Sequence, residues 1–176
     1  MFLTSMVTWF LFATAAIQAP PQPGLYYLTQ SGVKRLEGRA VTLESGGGSR
    51  KLSVKAPLAS TGVRAEILGE HAQITLNSSP VFYFRPEKNT DTVVGDLALV
   101  RLKVRHHHRE FEVSAKGEWN SSSGISLKDQ ILYYLKQEEP GLYKITPADD
   151  LDPGEYGFYE LRGNGHPGLL FDFTVK

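Results

Sequence analysis

The chain has 176 residues, enough for one full core or for one domain with a small appendage. With 19 basic and 19 acidic side chains it carries no net charge, so no global field holds a polyanion and nucleic acid is not expected as a partner. Cysteine is absent, which excludes disulfides, thiolate metal sites, cysteine nucleophiles and a lipid-modified cysteine anchor.

Met1 to Ala19 contains no charged side chain, and an apolar run from Phe2 to Ile17 gives way to small residues and then to Pro20-Pro21-Gln22-Pro23. That pattern predicts a signal peptide over residues 1–19 with cleavage near Ala16 or Ala19, and a secreted or periplasmic product. The first basic residue is Lys34, so the usual positive flank is missing. An uncleaved anchor and a misplaced start are therefore rival readings, and a membrane partner is expected only if the segment stays uncleaved.

Residues 20–56 show four brief strand patterns, LYYLT, VKRLEG, AVTLES and RKLSVKA, separated by Gly32, Gly38 and Gly46-Gly47-Gly48-Ser49. They predict a small N-terminal β-meander. The Gly-rich run is not a phosphate cradle, because Arg50 to Lys55 alternates like a strand where a helix N-terminus would be needed.

From Val63 the pattern continues with strands at Arg64 to Leu68, Gln73 to Leu76 and Val81 to Phe84. Phe82 and Phe84 should share one face and Tyr83 the other. Tyr83 is a candidate glycan-stacking residue, as is Trp119 in the Ser-rich loop that follows Gly117. Asp96 to Lys116 predicts a hairpin with His106-His107-His108-Arg109 as its loop, placing Arg105 opposite Glu110 and Lys103 opposite Glu112. Imidazole is the commonest metal ligand, so His106 and His108 are candidate metal ligands at the hairpin tip. Ile131 to Lys136 is a strand or a short helix, with alternation and two tyrosines favouring the strand.

The last third, from Gly141, holds three strand patterns divided by the strongest turn signals in the chain. Asp149 to Gly154 forms one turn and Asn164-Gly165 the other; Leu169, Phe171, Phe173 and Val175 then alternate with Leu170, Asp172 and Thr174. Pro23-Gly24-Leu25-Tyr26 recurs as Pro140-Gly141-Leu142-Tyr143 and, more loosely, as Pro153-Gly154-Glu155-Tyr156, which reads as one turn chemistry used three times.

The spacing Leu151-x-Pro153-Gly154-x-Tyr156 resembles the tyrosine corner that opens the penultimate strand of immunoglobulin-like sandwiches, in the shorter form of bacterial modules. Together with GLYKITP, PGEYGF and the final FDF, the tail resembles exported bacterial proteins with an immunoglobulin-like C-terminal β-sandwich. The resemblance implies such an antiparallel sandwich over 63–176, preceded by the meander, and implies no function.

No serine sits in a nucleophile elbow, and no Asp, His and Ser fall at a catalytic spacing. Asp149, Asp150, Asp152 and Glu155 lack the alternating ligands of a calcium loop. The expectation is a non-enzymatic extracytoplasmic binding or scaffolding module without a cofactor, whose partner is an envelope protein or a glycan. The alternatives are a carbohydrate-binding module using Trp119 or Tyr83, and a metal-binding protein using His106 and His108.

Overall fold

The computed structural model describes residues 19–45, 63–87, 97–113, 125–126, 128–160 and 168–176. Among these residues there is no helix, and 14 strands form two predominantly antiparallel sheets. In chain order they are β1 (Gly24–Thr29), β2 (Gly32–Leu36), β3 (Arg39–Ala40), β4 (Thr42–Ser45), β5 (Val63–Leu68), β6 (Thr75–Leu76) and β7 (Phe82–Arg85). The second half adds β8 (Leu97–Arg105), β9 (His108–Val113), β10 (Gln130–Ile131), β11 (Tyr133–Glu139), β12 (Leu142–Pro147), β13 (Gly154–Glu160) and β14 (Leu169–Val175).

A five-stranded sheet runs β11-β12-β7-β1-β2, and a nine-stranded one follows the path β3-β14-β13-β8-β9-β5-β4, with β10 on β8 and β6 parallel to β14. Only Val41 separates β3 from β4, which lie at opposite ends of the longer path. The nine-stranded sheet therefore curls until its two ends are consecutive stretches of one chain, close to a barrel. Three of its strands, β8, β13 and β14, work on both faces. Leu99, Phe158 and Phe173 turn outward onto the five-stranded sheet, while Val100, Tyr159 and Leu170 turn into the curl. That double burial is why β8 opens on an unbroken apolar run, Leu97-Ala98-Leu99-Val100, where a half-exposed strand would alternate.

Between the sheets, the Phe82 ring meets Phe158 edge-on at 4.9 Å and Phe173 at 5.1 Å. One ring comes from the five-stranded sheet and two from its partner, so this trio pins the sheets together. Tyr133 adds a polar tie across the same gap by donating to the Leu97 carbonyl at 2.7 Å. Tyr83 lies on the opposite face of β7, with Tyr26 and Leu142, so the expected split of Phe82 and Phe84 from Tyr83 is present.

The expected tyrosine corner forms: Tyr156 Oη donates to the Asp152 carbonyl at 2.9 Å. Its sequence cousin does the same, with Tyr26 Oη donating to the Gln22 carbonyl at 2.9 Å. In both, Pro-Gly turns the chain and the phenol clamps the backbone four residues upstream.

The sequence leaves open whether the N-terminal strands stand apart or extend the sandwich. The first two do form a hairpin, Leu25 facing Leu36, but β1 also pairs with β7, β3 with β14 and β4 with β5. The segment thus supplies strands to both sheets, because Leu25 and Leu36 belong to the core between them and Val41 to the core of the curl. RKLSVKA lies outside the described residues, as does the expected signal peptide apart from Ala19.

The β8–β9 hairpin is also tighter than its charge pattern suggests. The loop is His106-His107, with His107 at φ 72°, and the register pairs Lys103 with Glu110 and Val104 with Arg109. A shift of two residues leaves every side chain on its expected face. Arg105 still reaches Glu110, diagonally, at 2.8 Å, while Lys103 finds Asp129 at 3.5 Å in place of Glu112. Arg109, expected in the loop, enters β9 and is completely buried.

Candidate functional site

One end of the curled sheet gathers most of the titratable groups with unusual surroundings. Arg109 points inward there, where strand alternation also delivers Glu155 of β13 and Asp172 and Thr174 of β14. The guanidinium donates through Nη1 to Glu155 Oε2 at 3.1 Å, through Nη2 to Asp172 Oδ2 at 2.8 Å and through Nε to the Gly69 carbonyl at 2.9 Å. Glu155 also accepts from Thr174 Oγ1 at 2.8 Å and from the Ala72 amide at 2.9 Å, and lies 3.0 Å from His71 Nδ1. Arg39 closes the group from the rim, donating to Asp172 at 3.3 Å and to the Leu68 carbonyl at 3.2 Å.

Two guanidiniums thus face two carboxylates, and among the described residues no buried side-chain polar atom lacks a partner. The two guanidiniums and two carboxylates satisfy one another and their backbone neighbours. Their chemistry is that of a polar plug which fixes the alignment of β9, β13 and β14 at the open end of an apolar curl.

The loop Gly69-Glu70-His71 covers this plug and joins it to the hairpin tip. The Gly69 amide donates to the His107 carbonyl at 2.9 Å, and the His107 amide donates to Glu70 Oε1 at 3.2 Å. His71 and the three tip histidines therefore share one end of the molecule. His166 lies outside the described residues.

The tip does not bring His106 and His108 to a common point. His106 belongs with Glu70 and His107 in a fully exposed group, and its ring lies 3.6 Å from that of His107. His108 belongs with Glu66 and Glu110 in a half-buried group. Adjacent strand positions face opposite ways, and His108 is in β9 while His106 is in the turn. Burial works to raise the Glu110 carboxyl, but the hydrogen bond from Arg105 and the charges of Arg105, Arg64 and His108 outweigh it and hold the group below the usual carboxylate range.

A second feature lies on the five-stranded sheet. Its edge strand β11 pairs only with β12 among the described residues, and three apolar side chains stand out beside that edge: Leu132 at 76 % exposure, Tyr134 at 67 % and Leu135 at 44 %. The strand reading of ILYYLK is the correct one. Of the two expected stacking residues, Tyr83 is only 8 % exposed and covered by neighbours in the sheet, so it presents no platform; Trp119 lies outside the described residues. Among the described residues the exposed aromatic is Tyr134, one of the two tyrosines that mark the strand in the sequence.

Compared with protein-family models, with curated proteins and with solved structures, the chain matches none of them.

Proposed function

We propose that this protein is a non-catalytic, exported immunoglobulin-like module that binds a partner polypeptide of the cell envelope by adding a strand at β11. The immunoglobulin-like reading is supported by strand order. With β1, β7, β12 and β11 taken as A, B, E and D, and β8, β13 and β14 as C, F and G, the two sheets have the neighbours that architecture requires. The tyrosine corner then falls on F, where it belongs. On this reading β2 to β6 are an insertion between A and B: β3, β4 and β5, together with β9, extend the C-F-G sheet into the curl, while β2 extends the other sheet.

The observation that carries the binding proposal is the edge itself. Natural edge strands are short, charged or covered; β11 is seven residues long and charged only from Lys136 on, while exposed Leu132 just before it and Tyr134 and Leu135 near its start are apolar. Such an edge offers main-chain hydrogen bonds for affinity and side-chain contacts for specificity. Its charged side chains lie toward the other end, where Lys136 meets Glu138 at 3.2 Å and Glu139 meets Arg85 of β7 at 2.6 Å.

Hydrogen exchange tests this reading. Amides of β11 that exchange freely in the isolated protein should become protected when a solubilised envelope fraction is added, and a Tyr134→Lys, Leu135→Glu variant should show no change. Protection elsewhere, or an effect that survives protease treatment of the fraction and is lost after glycosidase treatment, contradicts it. Export is tested by intact mass: the native protein should be a soluble extracytoplasmic species starting close to Pro20, and a full-length cytoplasmic species would remove that part of the reading.

A further inference from the structure

Glu66 of β5 and Glu110 of β9 are direct cross-strand partners in the curled sheet. Like charges placed opposite one another oppose the pairing of their strands, and here they do so at a largely covered position: Glu110 is 7 % exposed and Glu66 21 %. His108, two residues before Glu110 and on the same face, turns Nε2 toward both. It lies 3.8 Å from Glu66 Oε1 and 3.7 Å from Glu110 Oε2. One ligand atom from each of the three residues falls within 4.8 Å of the others.

We propose that Glu66, His108 and Glu110 form a binding site for a divalent transition metal of the zinc class, with a fourth position open to water. Zinc takes imidazole nitrogen and carboxylate oxygen at about 2.0–2.2 Å, which puts neighbouring ligands of a tetrahedral ion about 3.4 Å apart. The two His108 separations exceed that by only a few tenths of an ångström, a change within the reach of glutamate side-chain rotation. Three protein ligands plus water is the arrangement of zinc sites that stay accessible.

The surroundings fit a ligand set better than an ordinary surface pair. Glu110 uses Oε1 to accept from Arg105 Nε at 2.8 Å and keeps Oε2 toward His108, as a metal-binding carboxylate does when a second group fixes its orientation. Arg64 approaches Oε2 at 4.0 Å, but its side chain is about half exposed and can withdraw into water. The ion would exchange like-charge repulsion between β5 and β9 for a cross-link between them. The exposed group of Glu70, His106 and His107 lacks these features, since none of its side chains is held by burial.

The test is zinc titration of the full chain carrying no polyhistidine tag, by calorimetry and by thermal unfolding. One ion should bind, and the melting temperature should rise with zinc concentration. His108→Ala and Glu66→Gln, checked for fold by circular dichroism, should each weaken binding at least about ten-fold. His106→Ala with His107→Ala should leave it unchanged. Absence of saturable binding by the wild type, affinity that follows His106 and His107, or wild-type affinity in both His108→Ala and Glu66→Gln would overturn the assignment. Should one of those two variants fail to fold, the other decides.

Discussion

Arg109 and Asp172 stand 63 residues apart in the chain and 2.8 Å apart inside the curled sheet. Neither has access to water in any useful degree, so each depends on the other and on Glu155 for its charge to be tolerated. Replacing Arg109 by alanine leaves two buried carboxylates facing one another. The expected cost is about 3–5 kcal/mol in urea unfolding. Arg35→Ala, which removes the half-exposed partner of exposed Glu37, should cost less than about 1 kcal/mol. Similar losses for both would mean that the Arg109 group is hydrated and unimportant.

How legible was this arrangement in the sequence? The strands were largely visible, because alternation and turn residues are local signals: Phe82 and Phe84 against Tyr83, the Pro-Gly turns, the final Leu169 to Val175 run. What alternation cannot reveal is where a polar face points. Asp172 and Thr174 look like the solvent side of β14 but turn into the curl, and only the closure of the sheet through Val41 makes that side an interior. Burial of Arg109 is hidden from the sequence for a related reason. The partners of this side chain lie 40 to 63 residues away, so nothing nearby marks it as buried, and a two-residue loop with a histidine at positive φ is a less common choice than Asn-Gly. The candidate metal group is half legible: His108 stands out in the histidine run, but Glu66 joins it only through β5–β9 pairing.

The paired tyrosine corners make a prediction of their own. Tyr156→Phe and Tyr26→Phe each remove one phenol-to-carbonyl hydrogen bond and nothing else, for about 1 kcal/mol apiece. The two residues belong to separate core clusters with no shared partner, so the double variant should lose the sum. Chemical denaturation of the four proteins checks this, and a double variant no worse than either single one would show that the two corners are not independent.

Burial pushes the Tyr133 phenol above its ordinary value. A folded-state pKa raised above the unfolded one contributes stability that is fully present below about pH 10 and is lost as pH rises through the folded value. Wild type should therefore exceed Tyr133→Phe by about 1 kcal/mol at neutral pH, through the bond to Leu97. That advantage should shrink and then reverse on the alkaline side, because Phe has no proton to lose. Urea midpoints for both proteins between pH 7 and about pH 11 measure it. A pH-independent gap would place the phenol in water.

The claim that most needs testing is that β11 is where a partner polypeptide docks. A photo-crosslinking residue placed at Leu132 or Tyr134 in the native cell should give one shared protein adduct. The same residue at Leu68, which is 79 % exposed but lies on β5 in the other sheet, should not. Excess unlabelled wild type should compete the adduct away, and the Tyr134→Lys, Leu135→Glu variant should fail to do so. Equal adducts from Leu68, or none from either Leu132 or Tyr134, would contradict the account.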